Sequence, residues 1–343
     1  MTRAAILALV VSSTASANVW QHAIDTGTPD PKRDVYVSEL QSGDELAEQA
    51  TAQAASREVI RTLVLHAAQS YRNAAAAEPN EPEPYYRLGR LIYSFYFECD
   101  SNGTLNPSPL CIVDPTYFDA AHAREVLDAW DHFEKLAPLD PRLGVMREEA
   151  GTFVSDFDLL FKRAILHTRL ADRASLEAAT KDYEAIAARA DVIDENVLGN
   201  LAETYMMIDR LDDAIETYRR ALRSALTSET VYGLAVALDR DERGGQARDL
   251  ILSQGDQAVQ EFEKRVQTGR TFFVPAGEEY YYFALIYESF GRTEAAIEFW
   301  QKYIQSGAHP EFQPRAKAHL DPLLADKRRK ILKLEPPWHE LIP

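Results

Sequence analysis

Residues 198–221 read LGNLAETYMMIDRLDDAIETYRRA, and the placing of large and small apolar side chains in them leaves few folds open. Leu198, Leu201, Ala202 and Tyr205 share one helical face, and Ala214, Tyr218 and Ala221 share another, with a polar break at 209–213 between them. A single amphipathic helix would carry its apolar stripe straight through that break. The pattern therefore predicts a hairpin of two helices, with alanines letting the backbones approach and tyrosines filling the space between turns.

The same order recurs. Val231, Leu234, Ala235 and Leu238 precede Ala247 and Ile251, and Ala235 lies 33 positions after Ala202. Tyr280, Phe283, Ala284 and Tyr287 precede Ala296, Trp300 and Tyr303. One hairpin cannot bury both its faces, so each repeat must cover its neighbour and the stack must share a continuous core.

This resembles the tetratricopeptide repeat, whose period is about 34 residues. Further copies fit the same template. Tyr85, Leu88, Gly89 and Ile92 match a first helix, and Ala129, Phe133, Leu136 and Pro141 a second one displaced by a loop. Ala67, Tyr71, Ala74 and Pro79 form a second helix whose partner is indistinct, and Leu166, Leu170, Ala179, Tyr183 and Ile186 make a poorer copy. In that copy Arg163 and His167 stand where apolar residues are usual. The resemblance covers roughly residues 55–310. It implies an all-α, right-handed α-solenoid, irregular and carrying a short loop insertion. The expected divisions are a signal peptide at 1–17, an extension at 18–54, the repeat domain at 55–320 and a capping helix with tail at 321–343. The step from Ala235 to Ala284 is 49 residues, and the surplus falls at 255–277. There Ala258, Phe262 and Val266 keep helical spacing, which predicts a lengthened or additional helix.

In proteins of this family the first helices line a concave groove that binds peptides or partner proteins. Carrying the groove positions over gives Tyr86, Arg90, Tyr93, Glu203, Met206, Met207, Tyr232, Asp239, Tyr281 and Glu288. Gly199 and Glu203 occupy positions where chaperone carboxylate clamps use Lys and Asn, so that use is not expected. An aromatic, Met-rich and acidic lining points to a partner with a basic segment. The formal net charge of −17 argues against nucleic acid. The alternative function is a solute- or glycan-binding module, with Tyr85, Tyr86, Tyr93, Phe95 and Tyr96 as an aromatic platform. The sequence carries no phosphate loop, nucleophile elbow or zinc-protease motif, so neither an enzyme nor a cofactor is expected. The acidic run at 239–245 is better placed as a turn than as a calcium loop, because Arg243 occupies a ligand position and the closing glutamate is missing.

The first 17 residues, MTRAAILALVVSSTASA, order a positive start, an apolar run and a small-residue cleavage pattern. Cleavage after Ala17 and a periplasmic or secreted location are expected, with no integral membrane span. In an oxidising compartment Cys99 and Cys111, which flank DSNGTLNPSPL, are expected to form a disulfide, the other possibility being two free thiols.

Overall fold

The computed structural model describes residues 30–52, 56–98, 112, 118–137, 146–149, 152–188, 195–268, 271 and 273–334. The expected signal peptide and its cleavage site, and both cysteines, lie outside these residues. Helices α1 (Pro31–Ala52) and α2 (Arg57–Ala77) form the first hairpin, followed by α3 (Glu83–Tyr96) with α4 (Ala120–Leu136). A small antiparallel ribbon, β1 (Met146–Glu149) with β2 (Thr152–Ser155), then leads into α5 (Asp156–Leu170) and its partner α6 (Arg173–Ala187). Three more hairpins succeed it: α7 (Glu195–Met207) with α8 (Leu211–Ser224), α9 (Ser228–Arg240) with α10 (Gly244–Gln267), and α11 (Glu279–Ser289) with α12 (Thr293–Ser306). A 3-10 turn at Pro310–Phe312 delivers the chain to α13 (Gln313–Leu334), which packs on α12 and closes the array.

The helix limits are written locally. Asp119 accepts hydrogen bonds from the backbone N–H groups of Ala121 and His122 to cap α4, Asp172 caps α6 through Ser175, and Thr227 caps α9 through Thr230. Three hairpin turns are built alike. Arg210, Arg243 and Arg292 each donate their backbone N–H to the carbonyl five residues back, on Tyr205, Leu238 and Tyr287. The residue before each arginine is left-handed: Asp209 (φ 66°), Glu242 (φ 62°) and Gly291 (φ 70°). The expected repeat is thus visible in the backbone as well as in the side chains.

Two boundaries differ from expectation. The array starts at Pro31, within the segment assigned to an extension, because α1 is the missing partner of α2. Its buried residues, Tyr36, Gly43 and Ala50, are spaced by seven, and the absence of a side chain at Gly43 makes room for the ring of Tyr71. At the other end α13 begins before residue 321. The surplus is helical as far as Gln267, as its spacing requires, and Gly255, with φ 75° and ψ 171°, breaks α10 into two segments.

Helix α5 separates two hydrophobic cores. Leu159 and Leu166 belong to the core of α1–α4, while Leu160 and Ala164 belong to the core that runs on through α13. Arg163, buried at 8% exposure, bridges the two. Its guanidinium pairs with Asp131 and Glu134 of α4 and, at 2.6 and 2.7 Å, with Asp182 of α6. The cation in an apolar position is thus fully committed to carboxylates on both sides.

Candidate functional site

In the second half the first helices contact one another, α7 with α9 and α9 with α11, while second helices pack on the first helix of the next hairpin. Helices α7, α9 and α11 therefore form a shared inner layer. A cavity of about 250 Å³ opens on that layer, with residues from α5, α7, α9 and α11 among its lining. Glu203 and Met207 of α7 line it, beside Asn196, Gly199 and Asn200 from the same helix. Second helices supply its aromatic walls: Tyr183 from α6, Tyr218 from α8 and Phe262 from α10.

Glu203 is the focus of the polar lining. Tyr218 and Tyr282 both donate to its Oε2, at 2.6 and 2.8 Å. Burial raises both phenols well above the usual range, and the Glu203 charge pushes them further. Nearer the rim Glu229 pairs with Arg265 and accepts from the hydroxyl of Thr271 at 3.1 Å. Tyr183 is wholly buried, and burial raises its phenol while Thr168 and Asn200 bond to it and oppose the rise.

The surplus segment has a place in this site. Phe262, Arg265, Thr271, Phe273 and Val274 all line the cavity, so the departure from the regular period builds one of its walls. None of these residues is among the groove positions carried over from the resemblance. The available signal is the helical spacing through Phe262 and Val266.

No protein-family model and no curated protein sequence matches the chain. Among solved structures it is similar to a MamA protein, with a TM-score of 0.41 and 13% identity, covering 71% of this chain and 99% of that one. A MamA fragment from Desulfovibrio magneticus RS-1 gives a TM-score of 0.40 at 15% identity over 67% of this chain and 96% of that one. The C-terminal part of a TPR repeat-containing protein from Cytophaga hutchinsonii gives 0.32 at 14%, over 82% and 99%. The stacked hairpins, with their recurring small residues and recurring turns, decide the architecture. The chain is a tetratricopeptide-like solenoid.

In this solenoid the ten carried-over groove positions separate sharply. Glu203 and Met207 line the cavity, and Arg90 is exposed on α3. The other seven are taken up by packing and hydrogen bonds within the fold. Tyr86 packs on Phe133, and Tyr93 on Trp130. Met206 is 1% exposed, and Tyr232, equally buried, meets Phe262 edge-on. Tyr281 is enclosed by Trp300, Tyr303 and the guanidinium of Arg240. Asp239 is fully buried, accepting hydrogen bonds from Tyr281, Arg315 and His319. Glu288, half-buried, is taken up by Trp300 and His319.

The causes differ: Tyr86, Tyr93 and Tyr281 are covered by the second helices of their own hairpins. Met206 and Tyr232 lie on the stacked helices α7 and α9, and α13 sends Arg315 and His319 over Asp239 and Glu288. The aromatic platform is not formed either, since Tyr86, Tyr93, Phe95 and Tyr96 are core residues of the first half. Among the described residues no group of three or more His, Cys, Asp or Glu side chains is arranged to hold a metal, and no helix is long and apolar enough to cross a membrane.

Proposed function

We propose that the chain is a non-catalytic interaction scaffold, exported to the periplasm or beyond, which binds a segment of a partner protein on its inner face. The observation that carries this reading is the cavity on the first-helix layer, walled on one side by the irregular segment around Phe262 and Phe273. A purely structural solenoid has no need of a polar cavity at that place, whereas a recognition surface needs a concave apolar site with a few fixed polar groups. Export rests on the charge, apolar and small-residue order of residues 1–17, and the disulfide between Cys99 and Cys111 rests on export. Mass spectrometry of the mature chain, without reduction, reads the cleavage site and the two hydrogens lost on bridging together.

The binding reading is tested by placing a photo-crosslinking residue at Asn196, exposed at the cavity, or at Arg219, exposed on a second helix. The expected result is one defined adduct from position 196 in the native compartment and none from 219. Adducts from 219 alone overturn it and move recognition to the outer face.

A further inference from the structure

Among the described residues the charges that line the cavity do not balance. Two carboxylates, Glu203 and Glu229, line it together with the single guanidinium of Arg265. Arg265 is held by Glu229. Behind the wall Arg240 is held by Glu278, at 2.6 and 2.8 Å, and both are buried. Glu203 has the phenols of Tyr218 and Tyr282 as donors, and among the described residues no lysine or arginine pairs with it. Phenols stabilise the carboxylate by hydrogen bonding without cancelling its charge.

The charge is felt around the site. Burial raises the Glu278 carboxyl while Arg240 opposes that rise, and Glu203 adds to it. Five rings line the same cavity, Tyr183, Tyr218, Phe262, Phe273 and Tyr282, the phenols of Tyr218 and Tyr282 bonding to Glu203. Aromatic faces attract cations, most strongly where water is displaced. A carboxylate that no described lysine or arginine pairs with, in a cavity lined by five rings, selects positive charge over negative or neutral groups.

We infer that the cavity receives the cationic side chain of a lysine or arginine on the partner segment, its charge meeting Glu203 and its stem lying against the aromatic walls. This rests on the reading of the inner face as the binding surface. At about 250 Å³ the cavity is smaller than sites for drug-sized molecules and suits one long side chain entering from a bound peptide. The asparagines at 196 and 200, also in the lining, offer amide groups to the peptide that carries it.

The experiment is a calorimetric titration of the full chain with capped alanine pentapeptides whose central residue is lysine, arginine, norleucine or glutamate, and with free ethylamine. A lysine or arginine peptide should bind about tenfold or more tightly than the norleucine peptide, with the glutamate peptide and ethylamine weaker still. That preference should fall as salt rises. Glu203→Gln should abolish it with little change in melting temperature. Should Glu203→Gln disturb folding through Tyr218 and Tyr282, Asn196→Arg serves instead, its added cation lowering affinity for the lysine peptide by about tenfold. Equal binding of lysine and norleucine peptides overturns the inference while leaving the inner face as the binding surface. Ethylamine binding as tightly as the lysine peptide also overturns it, since the site would then serve a free amine. Failure of the binding reading shows separately, as crosslinks from position 219 and none from 196.

Discussion

His319 sets its Nε2 3.1 Å from both oxygens of Asp239, a residue 80 positions earlier in the chain. Its Nδ1 meets Glu288 at 3.1 Å, and its ring stacks on Trp300. Burial alone would lower the imidazole pKa, but the hydrogen bonds to Asp239 and Glu288 win and raise it to about 9. For Asp239, burial pushes upward and the bonds from His319 and Arg315 more than offset it, holding the carboxyl well below its usual range. A raised histidine contributes stability that is complete below its unfolded value of about 6.5 and is lost as pH climbs through 9. The depressed aspartate works in the other direction: its contribution is present above about pH 4 and disappears in stronger acid. Wild type should therefore exceed His319→Gln in stability by about 3 kcal/mol near pH 6, and the gap should close between about 6.5 and 9. Denaturant titrations at three pH values check this.

Tyr232 illustrates how a groove assignment inverts. It is 1% exposed and packed on Phe262 at 4.9 Å between ring centres. Tyr232→Ala should cost about 3–5 kcal/mol by cavity formation, a stability effect unrelated to binding. Its hydroxyl is buried without a hydrogen-bond partner among the described residues. Tyr232→Phe should consequently be neutral or stabilising by about 1 kcal/mol, measured by urea unfolding.

Packing is the property most legible in the sequence. Ala202, Ala214, Ala221, Ala235 and Ala284 are all at 0% exposure, as close hairpins demand. Helix α1 is hard to see in the sequence because its buried residues come only once every seven positions, and a sparse stripe raises little amphipathic signal. The groove is mostly illegible for a different reason. Exposure at a position in a first helix depends on how closely the next hairpin stacks, and Thr230 to Arg240 are buried without a gap. Nothing local to that helix records the helices that cover it. Arg163 is legible as an anomaly, while its three carboxylate partners, from α4 and α6, are not.

Two glycines separate space from strain. Gly199 sits within α7 at the cavity with nothing within 4 Å of where a Cβ would stand. Gly199→Ala should stabilise by about 0.5–1 kcal/mol through helix propensity. At Gly233 the added methyl meets the ring and hydroxyl of Tyr218, the phenol that holds Glu203. Gly233→Ala should cost about 1–3 kcal/mol and weaken lysine-peptide binding as well, read by thermal melts and calorimetry.

The left-handed turns offer a gain. Ala171 (φ 61°) and Glu242 (φ 62°) adopt the conformation that Gly291 supplies in the last hairpin. Left-handed backbone costs a side chain about 1–2 kcal/mol, partly offset by the entropy of glycine. Ala171→Gly and Glu242→Gly should each raise stability by up to about 1 kcal/mol, seen as a higher denaturation midpoint.

Removing Arg163 should be costly for the opposite reason. Arg163→Met leaves Asp182, 6% exposed, without its cation, at about 3–5 kcal/mol. Adding Asp182→Leu should restore much of the loss, because burying neither charge avoids the desolvation cost of both. Chemical denaturation of the single and double variants measures the difference.

The wall that α5 forms between the two cores has a consequence for the order in which the molecule is made. As the chain leaves the ribosome, α1 to α4 are available first, but their core stays open on one side until Leu159 and Leu166 arrive. The same helix then presents Leu160 and Ala164 as the first finished surface on which later hairpins settle. Helix α5 is at once the lid of the first four helices and the foundation of the later ones.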